Sequence, residues 1–147
     1  MLMEKGVIIQ KINEALTALY EADGDLIRNK TNEETIVAHL VGYLRPIFFP
    51  DGWNIDAEYN RDGKDPKKDS SGNLIFPDII IQNRTADREN RFSPTNNLVA
   101  LEVKGYWNKE NRDDDTQKLR DIGNRYGYQY LFRIELTKGA GQLMEVR

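Results

Sequence analysis

Cysteine is absent from this chain, and that one gap removes disulfide staples, thiolate metal sites and thiol nucleophiles together. Histidine occurs once, as His39 within a helical pattern, so His-ligated zinc and paired-histidine chemistry are hard to build. Positive charge is not in excess: 21 Lys and Arg against 24 Asp and Glu leave a net charge of −3. That balance argues against gripping nucleic acid by bulk electrostatics. Basic residues do cluster locally, with Lys64, Lys67 and Lys68 in one polar stretch and Arg84, Arg88 and Arg91 in another. Each cluster taken alone reads as a solvated loop. Apolar runs fall far short of a membrane span, and no charged, apolar, small succession opens the chain, so a cytoplasmic location is expected. Repeats, low-complexity tracts and interdomain linkers are missing as well. What is present, 147 residues of which 39% are apolar, suits one domain with one core.

Residues 4–21 place Val7, Ile8, Ile12, Ala15, Leu16 and Leu19 at helical spacing, and Asp23-Gly24 is expected to stop that helix. Thr31-Asn32-Glu33-Glu34 fits a capping box for a second helix, with Ile36, Val37, Leu40, Val41 and Leu44 as its apolar stripe and Pro46 as its end. Three strand patterns follow: WNIDAEYN (53–60), PDIIIQ (77–82) and NLVALEVKG (97–105). Polar loops at 61–73 and 83–96 intervene. A helix is predicted from Asp113 or Asp114, with Leu119, Ile122 and Tyr126 facing inward. YQYLFRIEL (128–136) and QLMEV then predict two strands of a hairpin around Gly139-Ala140-Gly141. The expected order is α-α-β-β-β-α-β-β, one mixed sheet flanked by helices.

The chemistry concentrates in LEVKG. Alternation along a strand puts Leu98, Ala100, Glu102 and Lys104 on one face and Val99, Leu101 and Val103 on the other. Glu102 and Lys104 then project together from an apolar strand, where an unpaired charge is costly. If the strands at 77–82 and 97–105 are antiparallel neighbours, Asp78 falls close to Glu102. Two adjacent carboxylates repel unless a cation separates them. A divalent ion preferring hard oxygen offsets both, and Mg²⁺ typically takes one or two carboxylates and keeps room for water and phosphate. The alternative is a buried pairing of Glu102 with Lys104 or Asp78 and no metal. Asp62-Gly63-Lys64 and Asp65-Pro66-Lys67 repeat the acid-x-Lys spacing in a polar loop, where a charge is cheap, and are discounted.

Pro77-Asp78 followed by Glu102-Val103-Lys104, with a Glu33-bearing helix upstream, resembles the PD-(D/E)XK nuclease superfamily, the restriction-endonuclease-like fold. The likeness spans residues 31–136. WNIDAEYNRDG, FPDIII, NLVALEVKG and DTQKL also resemble small uncharacterised bacterial members of that superfamily. The resemblance implies an α/β restriction-endonuclease-like core at 31–136, a helical extension at 1–30 and a C-terminal hairpin strand at 137–147. It implies Mg²⁺, with Mn²⁺ as a substitute, on Asp78, Glu102 and the Val103 carbonyl, and Lys104 serving the attacking water. Its helix-borne acid is Glu33, with Glu34 in reserve. It also implies a polar residue from the following helix, Lys118 or Gln117, whose other role is a solvent-facing surface. Tyr106 and Trp107 can stack on a base or pack the rim, and Arg61 can contact phosphate or pair with an acid. The expected activity is Mg²⁺-dependent hydrolysis of phosphodiesters in nucleic acid, foremost DNA, with a homodimer or partner subunit. The alternative is a binding module of the same fold that does not cut.

Overall fold

In the computed structural model, which describes residues 3–57, 77–84 and 96–147, the first apolar stripe forms helix α1 (Lys5–Arg28). Asp23-Gly24 kinks this helix instead of stopping it: Asp23 leaves helical geometry (φ −129°, ψ 21°) and the helix resumes to Arg28. A tertiary contact holds the kink. The Asp23 carboxylate accepts a 2.6 Å hydrogen bond from the hydroxyl of Tyr43, which lies on helix α2 (Glu33–Phe48).

The cap of α2 is Asn32, not Thr31. Asn32 Oδ1 accepts from the Glu34 backbone N–H at 2.7 Å, while the Thr31 N–H closes the end of α1 by bonding the Leu26 carbonyl at 2.9 Å. Asparagine is the stronger N-cap of the two, and Thr31 is committed to the preceding helix. Asn32→Ala is expected to cost about 1 kcal/mol of stability, measurable by urea unfolding. Pro46 lies inside α2 and does not end it. The carbonyl that loses its partner belongs to Gly42, which is exposed and can bond water.

The strands are β1 (Asn54–Ala57), β2 (Ile79–Gln82), β3 (Asn97–Gly105), β4 (Tyr130–Leu136) and β5 (Gly141–Val146), with helix α3 (Arg112–Tyr126) between β3 and β4. They form one sheet in the order β1-β2-β3-β4-β5. All neighbours are antiparallel except β3 and β4, which are parallel and joined through α3. This is a mixed α/β sheet with flanking helices, a restriction-endonuclease-like fold.

Two cores follow from strand alternation. Val99, Leu101 and Val103 pack with Ile79, Ile81 and the α1–α2 stripes on one face. Ala100 and Ile80 pack with Leu119, Ile122 and Tyr126 of α3 on the other. Leu98 departs from the expected alternation and joins the α1–α2 core beside Val99. The register explains it: Ile81 pairs with Val99 but Gln82 with Asn97, so Leu98 is the extra residue of a bulge. Among the described residues no helix is long and apolar enough to cross a membrane. Arg61, Lys64, Lys67, Lys68, Arg88, Arg91 and the end of the 53–60 stretch lie outside the described residues.

Candidate active site

Antiparallel pairing of β2 with β3 matches Ile79 to Leu101, so one further step sets Asp78 opposite Glu102. Each acid accepts a backbone N–H where the two strands meet. The Val103 N–H donates to Asp78 Oδ2 at 2.8 Å, and the Asp78 N–H donates to Glu102 Oε1 at 3.3 Å. Glu102 is only 1% exposed. Burial, then the neighbouring Asp78 charge, pushes its carboxyl up to about 8, against the partial relief of Lys118. Asp78 is also raised, chiefly by burial, although the Val103 N–H and Lys118 oppose the shift.

Lys118 comes from α3 and places Nζ 2.8 Å from Glu102 Oε1. It therefore belongs to the acid pair and not to the outer helix surface. Gln117 is exposed and donates to Asp121 one turn on, away from the site. Lys104, 13% exposed in its side chain, sits between two further acids: Glu110 Oε2 at 2.7 Å and Asp115 Oδ1 at 3.6 Å. Burial pulls its ammonium down, but the bond from Glu110 and the charge of Asp115 outweigh that, and its pKa is raised.

Glu33 stands at the first turn of α2 and reaches the end of β3. Its Oε2 accepts from the Gly105 N–H at 2.6 Å, and its Oε1 from Asn108 Nδ2 at 2.8 Å. Both oxygens are thus engaged in holding the strand end and the following turn. Glu34 is exposed, and both glutamates border a groove of ≈ 390 Å³ that Asp78, Val103 and Lys104 also line. Tyr106 and Trp107 meet edge to face, with ring centroids 5.2 Å apart, and pack at the margin of the α1–α2 core.

Asp115 and Glu110 were not singled out by the sequence reading. Asp115 carried a usable signal, since it precedes Leu119 by four residues and Ile122 by seven, on the inward face of α3. Burial raises its carboxyl, with Lys104 opposing, and its Oδ2 is buried without a hydrogen-bond partner. Glu110 carried none, because it stands on an exposed turn whose course nothing local specifies.

The donors are carboxylate oxygens, which suit a hard cation, and burial opposes the ionisation of both. Among the described residues no group of three or more His, Cys, Asp or Glu could hold a metal ion.

No protein-family profile and no curated protein sequence matches this chain. A solved structure does. A chain in a cryo-EM structure of a DrdV–DNA complex matches with a TM-score of 0.52 at 18% sequence identity, covering 95% of this chain and 84% of that chain. The likeness is one of fold.

Proposed function

We propose that this protein hydrolyses phosphodiester bonds of nucleic acid, foremost DNA, with Mg²⁺ or Mn²⁺ held by Asp78, Glu102 and the Val103 carbonyl. The observation that carries this reading is the meeting of Asp78 and Glu102 across the β2–β3 pair, each accepting a backbone N–H there. Packing alone has no use for a buried Glu102 that burial and the neighbouring Asp78 make hard to ionise. A DNA-complexed protein of similar fold supports nucleic acid as the substrate class.

When bound, the cation would supply Lewis-acid polarisation of a phosphoryl oxygen and a lowered pKa for water. The remaining work falls to the chain's own groups. Lys104, kept charged by its acid neighbours, is placed to donate to the attacking water or to a non-bridging phosphate oxygen. Lys118 balances Glu102. Glu33, by gripping the Gly105 N–H and Asn108, keeps the strand end and Lys104 in register with α2.

A second reading, a module that binds nucleic acid without cutting it, is favoured by one feature: Lys118 and Glu110 already neutralise Glu102 and Lys104 within the chain. Incubation of supercoiled and linear DNA with the protein, with Mg²⁺ and with EDTA, separates the two. Cleavage confined to the Mg²⁺ arm is expected, together with calorimetric uptake of the cation. DNA retention with neither cleavage nor cation uptake would establish the module instead.

A further inference from the structure

We infer that the Glu110 carboxylate occupies a subsite for a phosphodiester oxygen on Lys104, and that substrate binds there by displacing it. This rests on the phosphodiester reading of the groove. An anionic oxygen already lies 2.7 Å from Lys104 Nζ, the distance at which a phosphate oxygen would accept the same bond.

The two acids on Lys104 differ in kind. The Glu110 side chain is 70% exposed, so its loss to water costs little, as for exposed ion pairs generally. The Asp115 side chain is 9% exposed and enclosed by the fold, so it stays when Glu110 leaves and Lys104 keeps a counter-charge.

Displacement needs only a side-chain rotation. The backbone of Glu110 is pinned on both sides: its N–H donates to Asn108 Oδ1 at 2.8 Å, and its carbonyl accepts from Arg112 Nη1 at 2.7 Å. Asn108 is itself anchored to Glu33, and Arg112 to Glu135. The turn therefore holds still while the carboxylate swings away from Lys104, which lines the groove.

The test is the affinity of a short fluorescent DNA duplex, read by anisotropy in EDTA so that no metal or cleavage enters. Glu110→Gln is expected to bind about two- to fivefold more tightly than the parent. Asp114→Asn removes an equal charge from an exposed position on α3 and is expected to give less than half that gain. In a Lys104→Met background the effect of Glu110→Gln should vanish. Lys104→Gln, which can still donate to Asp115, replaces Met if that protein does not fold. An equal gain from Asp114→Asn, a gain that persists without Lys104, or no duplex binding by parent and Glu110→Gln alike overturns the inference. Absence of cleavage in Mg²⁺ does not touch it, and cleavage without a Glu110 effect overturns it alone.

Discussion

Glu102→Gln is expected to make the metal-free protein more stable above pH 8 while abolishing cleavage. The Glu102 carboxyl titrates near 8 in the folded chain against an ordinary value of 4.5. Between those values the folded state holds a proton that the unfolded state has released, so stability falls as pH rises through the window. The lost stability is on the order of 5 kcal/mol once Glu102 is fully ionised. Asp78 and Asp115 are shifted the same way, chiefly by burial, and add to the trend. Glutamine keeps the shape of Glu102 and cannot ionise, so the variant's stability should depend less on pH from 5 to 9. Urea midpoints across that range measure it. Added Mg²⁺ should raise the melting temperature of the parent most at high pH and that of the variant little. Cleavage should fall roughly a thousandfold or more, since several kcal/mol of cation-mediated stabilisation go with the ligand. A parent whose stability is flat from pH 5 to 9, or a variant that cuts normally, would contradict the assignment of Glu102.

Lys104→Met is expected to lower cleavage about 100- to 1,000-fold with cation affinity changed no more than a few-fold. The split is diagnostic because Lys104 donates to reacting groups, whereas Asp78 and Glu102 are the proposed cation ligands. Removing the ammonium leaves Asp115 enclosed without its countercharge, so a stability loss on the order of 3 kcal/mol should accompany the change. Lys104→Arg controls for this. It restores the charge and most of the stability, but the planar guanidinium cannot place a donor as the compact ammonium does, so cleavage should stay low. Calorimetry with Mg²⁺ and cleavage rates on the three proteins decide it. Equal loss of cation uptake and cleavage in Lys104→Met would return Lys104 to a structural role.

The elements of this fold were legible because each was specified by neighbours a few residues away. Ile8, Ile12, Leu16 and Leu19 drew α1 through their period, and Ile79, Ile80 and Ile81 drew β2 as a short apolar run bounded by a turn signal. The meeting of Asp78 with Glu102 was also within reach, since alternation and antiparallel pairing bring the start of one strand to the end of the next. Boundaries were less legible where competing bonds came from elsewhere. Asp23 kinks α1 under the hold of Tyr43, and Thr31 serves α1 and leaves the α2 cap to Asn32.

By itself, then, the sequence determined the strands and the acid pair, since these depend on local apolar pattern and on the pairing of two successive strands, whereas the bulge at Leu98 was decided by the register with β2. Only the tertiary structure decided who attends that pair. Lys118 pairs with Glu102 and not with solvent, Glu33 clamps Gly105 and Asn108 from 72 and 75 residues away, and Lys104 lies between Glu110 and Asp115. Those partnerships are set by how α2 and α3 cross the sheet and by the course of the turn after Gly105. Such geometry is fixed by packing across the whole core, which no local pattern encodes.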